Sequence, residues 1–330
     1  MDESAPAVAG FVHRRGTMST DELRVLDAEA TRAALTDTGA LMAALATALT
    51  AIADGTDSSP ARIAARADGG LLVAMPGYVP GLGLAAKLIS VFADPRRPGR
   101  STHRGVVVCF DEHDGRPTAV LDAEPLTALR TAATSVIALR ALARPDASRV
   151  TVIGTGAQAR AQLALLAGDE RWDVTVAGRD APRVADTAGR FGARAAASIE
   201  AGAREADAVL CCTGAREPVL RRAWLADGVH VGSVGCSEGP ELDRRTIEDA
   251  ALFAEWPGAV GSPPPAGAHE LQGLHADRVT MLGDVLAGRH PGRSGREQLT
   301  VFKYTGHAAL DVAAAAVAAA ASRASGTLWA

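Results

Sequence analysis

The stretch that decides the fold is Ser148-Arg-Val-Thr-Val-Ile-Gly-Thr-Gly-Ala-Gln-Ala-Arg160. Residues 150–153 form an apolar, β-branched run of strand length. Gly154-Thr155-Gly156-Ala157-Gln158-Ala159 follows at once, and residues 161–167 are good helix formers. Strand, Gly-x-Gly-x-x-Ala and helix in direct succession make a dinucleotide fingerprint. Gly154 allows the tight turn, and Gly156 lets backbone N–H groups approach a pyrophosphate. Ala159 lets the helix pack closely on the strand, and the helix N-terminus then faces the phosphate charge. Gly154, Thr155, Gly156, Ala157 and Gln158 are therefore expected cofactor contacts.

Working outward, strands and helices alternate downstream. Residues 172–177 read as a strand and 181–191 as a helix. Residues 206–212, 228–235 and 251–255 read as strands, 279–287 as a helix and 299–304 as a last strand. This alternation predicts a parallel, doubly wound sheet. Upstream the pattern differs. Residues 21–26 and 31–54 read as helices, and 70–76, 84–92 and 105–110 as strands. Asp111-Glu-His-Asp-Gly115 is a turn from which residues 118–121 pair back. A helix over 126–143 leads into the fingerprint, and an Ala-rich helix over 307–324 closes the chain. The fold class is α/β, a Rossmann sheet accompanied by an α+β unit. Residues 1–19 read as a disordered tail.

Bulk properties narrow the function classes. A length of 330 residues is enough for two cores. The net charge of -4 gives no reason to expect nucleic acid or an anionic membrane as partner. Cys109, Cys211, Cys212 and Cys236 show neither zinc spacing nor a disulfide framework, which fits a reducing cytoplasm. Residues 312–321 are mostly Ala and too few to span a bilayer. A soluble protein without a metal site is expected.

The end of the second downstream strand bears on cofactor choice. It reads Val176-Ala-Gly178-Arg179-Asp180. An acid there would hold the ribose 2′-OH of NAD, but Gly178 takes that place and Arg179 stands where a 2′-phosphate is clamped. NADPH is the expectation, although Asp180 one residue later leaves NADH open. Thr213-Gly214 and Val234-Gly235 follow later strands, at the edge where open α/β sheets bind ligands. They complete the cofactor set read from the alternation. His230, mid-strand, reads as a packed residue. His307 is an acid/base candidate, and His269-Glu270 could reach the substrate.

At Leu126-Thr-Ala-Leu-Arg-Thr-Ala-Ala-Thr-Ser135, Leu142-Ala-Arg-Pro145 and the fingerprint, the chain resembles the ornithine cyclodeaminase/mu-crystallin family. Further matches follow in order: Pro60-Ala-Arg62, Ala74-Met-Pro76, Ala86-Lys87, Glu241-Leu-Asp243, Leu282-Gly-Asp-Val-Leu-Ala-Gly-Arg-His-Pro-Gly-Arg293 and Val301-Phe-Lys-Tyr-Thr-Gly-His-Ala-Ala-Leu-Asp-Val312. The resemblance implies a homodimer. Residues 20–127 plus 307–330 would form a substrate-binding and dimerisation domain, and 128–306 the Rossmann domain inserted in it. It also implies that Arg62, Lys87 and Arg130 hold a substrate carboxylate with Met75 beside them. Lys87 would additionally handle a proton, and Thr305 and Gly306 would lie near the nicotinamide.

Those roles suit the residue types, since a guanidinium can grip a carboxylate with two parallel hydrogen bonds. Cyclodeaminases of the family carry an Asp shortly after the glycine matched by Gly235. Here the run is Gly235-Cys-Ser-Glu-Gly-Pro240, so Ser237 takes the position, as in the mu-crystallin type. Glu238 could supply a carboxylate if the loop shifts. Losing that Asp removes the base for ornithine deamination but not hydride transfer to an imine. The resemblance thus implies an NADPH-dependent reductase of a C=N bond next to a carboxylate, with a small amino- or imino-acid substrate. Δ1-Pyrroline-2-carboxylate or Δ1-piperideine-2-carboxylate are the natural candidates. A cyclodeaminase using NAD catalytically, an open-chain amino-acid dehydrogenase and a crystallin-like binder of NADPH stay as alternatives.

Overall fold

The computed structural model describes residues 23–92, 103–235 and 238–322. The tail expected over residues 1–19 lies outside the described residues, as do Cys236 and the candidate catalytic Ser237.

The first half of the chain builds a six-stranded sheet. In chain order come β1 (Arg24–Leu26), α1 (Ala28–Ala34), α2 (Thr38–Asp54), β2 (Ile63–Ala67), β3 (Gly70–Val79), β4 (Gly83–Phe92), β5 (His103–Phe110) and β6 (Pro117–Asp122). The strand order is β1-β6-β5-β4-β3-β2. β1 runs parallel to β6, and all other neighbours are antiparallel. Two expectations need correction here. Residues 24–26 are a strand and not the end of a helix, because pairing with β6 outweighs local propensity and buries Leu26. The helix expected over 31–54 is two helices, each opened by an aspartate. Asp27 accepts the Ala30 N–H at 2.8 Å and Asp37 the Ala40 N–H at 2.9 Å.

From β6 the helix α3 (Ala123–Leu142) crosses to the second sheet. There follow β7 (Arg149–Ile153), α4 (Ala157–Leu166), β8 (Asp173–Ala177), α5 (Ala181–Phe191), β9 (Arg194–Ala195), α6 (Ile199–Arg204), β10 (Ala208–Cys211), β11 (His230–Ser233), α7 (Arg244–Asp249), β12 (Ala251–Ala254), α8 (Gly258–Gly261), β13 (Val279–Met281), α9 (Leu282–Leu286), β14 (Thr300–Lys303) and α10 (Ala308–Ala321). The order is β13-β12-β14-β11-β10-β7-β8-β9, and every pair is parallel. The helix expected over 279–287 begins as strand: residues 279–281 pair with β12, and only 282–286 are helical.

Chain progression reverses between β7 and β10, which is the switch point where such sheets open a crevice. Because all strands are parallel, the turns after β7, β8, β10, β11, β12 and β14 crowd one edge. The last helix, α10, turns back to the first sheet and packs on β3 and β4 beside α2 and α3. Its Ala-rich sequence lets it lie close to the strands, and it is buried almost all round. The first sheet and the second are therefore joined at the start of α10, directly after the turn that leaves β14.

Candidate active site

The fingerprint turn fits a pyrophosphate. Gly154 has φ +129°, and a Cβ on it would lie 2.5 Å from the Cys212 carbonyl oxygen, so only glycine serves. Helix α4 starts at Ala157 with Gly156 as its cap and no side chain bonded to its first N–H groups. Those donors, at the positive end of the helix, are open to an anion. Among the described residues the Oε1 of Gln158 is buried without a hydrogen-bond partner. At the end of β8, Gly178 is half-buried and Arg179 is exposed. Asp180 caps α5, its Oδ1 accepting the Arg183 N–H at 3.1 Å. The acid that left cofactor choice open in the sequence is thus engaged in starting a helix.

The other cofactor-side turns are held from beneath by acids whose role the sequence did not show. The buried Glu241 accepts the N–H and hydroxyl of Thr213 at 2.6 and 2.7 Å on Oε1. On Oε2 it accepts the Ser233 hydroxyl at 2.7 Å and the Gly235 N–H at 2.8 Å. One carboxylate therefore fixes the turns after β10 and β11 to each other. Lys303, also buried, donates to Ser233 Oγ at 2.8 Å, to Glu270 Oε1 at 3.0 Å and to the Gly235 carbonyl. Glu270 accepts the Glu241 N–H at 2.8 Å as well, which assigns it to this network beneath the turns. Glu238 is exposed and bonded to Arg216 at 2.8 Å. Gly214 is exposed and Val234 half-buried at the same edge.

Glu255, at the end of β12, does the same for the turn after β14. Its Oε1 accepts the N–H groups of Thr305 and Gly306, each at 2.7 Å, and the Thr305 hydroxyl at 3.1 Å. Burial pushes its carboxyl up from the usual range, and the Thr305 and Gly306 N–H groups pull against that shift. The indole N–H of Trp256 donates to Thr305 Oγ1 at 2.8 Å from the adjacent position.

Above this turn lie the three expected cations. Met75 and Lys87 sit opposite each other on β3 and β4, facing α10 from the inner side of the sheet. Lys87 donates to Asp311 at 2.9 Å, and the Nε of Arg130 reaches the same carboxylate at 2.8 Å. Arg130 also bonds Thr131 Oγ1 at 2.9 Å and the Tyr304 hydroxyl. Arg62 donates to the carbonyls of Thr305 and Gly306 at 3.2 and 2.6 Å. Gly306 takes φ +89°, and a Cβ there would come within 3.3 Å of the Arg130 guanidinium, so the turn and the cation need each other's space.

Burial lowers Lys87 to about 8, with Arg130 and Arg62 adding to the fall and Asp311 opposing it. Burial pushes Asp311 up, but Arg130 and Lys87 outweigh it and hold the acid below the usual range. Arg62 and Met75 line a small open pocket with Pro60, Trp256, Gly306 and His307. Lys87 and Arg130 share one aspartate, and Arg62 faces the same turn from the other side, a cationic and poorly solvated setting that suits a small carboxylate.

The model of the ornithine cyclodeaminase/mu-crystallin family matches residues 23–325. The chain belongs to that family. Among its relatives, the Δ(1)-pyrroline-2-carboxylate reductase of Paracoccus denitrificans is 33% identical over 264 residues, covering 74% of this chain and 81% of the relative. The mouse ketimine reductase mu-crystallin is 30% identical over 255 residues, covering 74% and 79%. In structure, the iminosuccinate reductase of Paracoccus denitrificans, solved with NAD+, superposes with a TM-score of 0.80 at 25% identity over 91% of this chain and 96% of that one.

Within this family member the sequence had located the cations but not their counter-ion. Asp311 stands in the quoted C-terminal segment, yet its role depends on a contact 224 residues away along the chain. Glu241 stood in a family segment without a role, and Glu255 was unrecognised, for the same reason. A single acid one residue past a strand, like Glu255, or eight residues past one, like Glu241, has no periodicity that marks it as buried. His230 is buried in β11, its Nδ1 3.0 Å from Thr300 Oγ1, and burial lowers it to about 3.

Proposed function

We propose that the chain is an NADPH-dependent reductase of a C=N bond carrying a neighbouring carboxylate, working as a homodimer. It is an NAD(P)-dependent oxidoreductase of C=N bonds, and the finer reading rests on the pocket. The observation that carries it is the convergence of Arg62, Lys87 and Arg130 beside the turn after β14, on the edge where the fingerprint opens. An incoming carboxylate takes up donors that Asp311 and the turn carbonyls now share, which fixes the plane of the substrate. Gly154, Gly156 and the open start of α4 hold the pyrophosphate, and Arg179 the 2′-phosphate. When bound, the reduced nicotinamide supplies the hydride. Lys87, held near 8, stays able to give or take a proton close to neutral pH. Cyclic ketimines such as Δ1-pyrroline-2-carboxylate or Δ1-piperideine-2-carboxylate carry the small carboxylate beside a C=N bond that this reading calls for.

For the dimer, the support is the outer face of the first sheet. Ile63, Leu72, Leu84, Leu88 and Phe92 are all exposed, and their register places all five side chains on that one face. An apolar sheet face of this kind supports an interface with another subunit. No single helix among the described residues is long and apolar enough to cross a membrane. A cytoplasmic location suits the free thiols of Cys109, Cys211 and Cys212.

The test mixes purified protein with Δ1-pyrroline-2-carboxylate and either NADPH or NADH, following the nicotinamide absorbance. Oxidation of NADPH well ahead of NADH, with the preference lost in Arg179→Ala, is the expected result. Ammonia released from ornithine under catalytic NAD, with no ketimine turnover, would overturn the reading.

A further inference from the structure

His307, an acid/base candidate in the sequence, lines the pocket without a role in the carboxylate reading. It is 8% exposed, yet among the described residues its Nδ1 has no hydrogen-bond partner. A buried polar atom left unpaired is costly, so its place demands a use. The groups around it define that use. Asp57 Oδ2 lies 4.0 Å from Nδ1, and the Asp57 side chain is itself only 11% exposed. The imidazole packs on the Trp256 ring at 4.9 Å between centroids, and Trp256 is pinned to Thr305. His307 follows the turn that Glu255 clamps and shares its pocket with Arg62 and Met75. Asp57, Trp256 and the turn after β14 therefore surround one imidazole at the wall of the carboxylate pocket.

We propose that His307, backed by Asp57, is the residue that grips the nitrogen beside the substrate carboxylate. The proposal rests on the carboxylate-pocket reading and deepens it. With Nδ1 turned toward Asp57, Nε2 is the ring nitrogen left to serve the pocket. A neutral Nε2 accepts an N–H from the substrate, and a protonated one donates to an imine lone pair, so either state of that nitrogen can be held. Asp57 favours the tautomer with the proton on Nδ1. Burial lowers the imidazole to about 4, Arg62 and Arg130 add to the fall, and Asp57 and Asp311 oppose it. A carboxylate settling on the two arginines offsets their share and raises the imidazole again. Recognition of an α-nitrogen next to a carboxylate selects α-imino and α-amino acids over plain carboxylic acids.

The test compares two planar carboxylates that differ in one ring atom, pyrrole-2-carboxylate with its N–H and 2-furoate with oxygen there. Binding to the intact protein is measured by calorimetry, so no turnover is involved. The wild type is expected to prefer pyrrole-2-carboxylate by about tenfold. The ratio of the two affinities is the readout: His307→Phe should bring it close to one whatever it does to either affinity alone, and Asp57→Asn should reduce it. An unchanged preference in His307→Phe, or equal binding of both ligands by the wild type, would overturn the proposal while leaving the carboxylate pocket intact. If neither ligand binds the wild type, the pocket reading itself fails and this proposal with it.

Discussion

At the scale of single residues, Lys87 shows how burial sets a working range. Lowered to about 8, it keeps its charge through neutral pH and loses it as the pH rises further. Binding a carboxylate favours the charged amine, so affinity should be level below pH 8 and fall above it. Calorimetric titration of 2-furoate from pH 6.5 to 9.5 checks this. Lys87→Met should bind about tenfold more weakly at pH 7, the loss of one charge-assisted hydrogen bond, and show no inflection near 8. An identical inflection in the variant would remove Lys87 from the pocket chemistry. The three cations were legible in the sequence because they fall inside recognisable segments. Asp311, which three-dimensional contact alone assigns to them, was not. Nothing in Ala-Leu-Asp-Val distinguishes an acid that will be sealed between two cations from one on a wet helix face.

At the scale of elements, the second sheet was read in outline from the fingerprint and the alternation, and its strand ends fell close to their expected places. The errors are instructive. β1 has three residues and exists only through β6, and residues 279–281 are a strand only through β12. Short edge pieces carry too little local pattern to announce themselves. The turns at the strand ends were located, but not what holds them. Glu255 serves three donors from Thr305 and Gly306, so Glu255→Ala leaves those groups buried and unpaired. Urea unfolding should show a loss of about 2–4 kcal/mol, with carboxylate affinity falling in the same variant because Arg62 rests on that turn. Stability close to wild type would mean the turn holds without its acid.

At the scale of the molecule, two sheets of different character meet at the start of α10. One is wholly parallel and enclosed, and the other keeps an apolar face open. Placing a charge on that face tests what it is for. Leu88→Asp, on β4, should convert a dimer into a monomer in analytical ultracentrifugation while the buried inner face keeps the fold. A dimer that persists would put the interface elsewhere. The placing of the Ala-rich last helix against the first sheet was implied by resemblance and not by periodicity, since an Ala-rich helix has no face that names its partner.

The position of Asp311 also has a consequence during synthesis. Lys87 and Arg130 leave the ribosome long before the acid that balances them, 224 residues separating the first pair. Arg130 precedes Asp311 by 181 residues, so at about 5–20 residues per second the nascent chain waits roughly 9 to 36 seconds with two uncompensated cations destined for its interior. The inner layer of the first sheet thus cannot close as it is made. Assembly of the carboxylate pocket waits on α10, and a nascent chain stalled before that helix would present this half as an open client for chaperones.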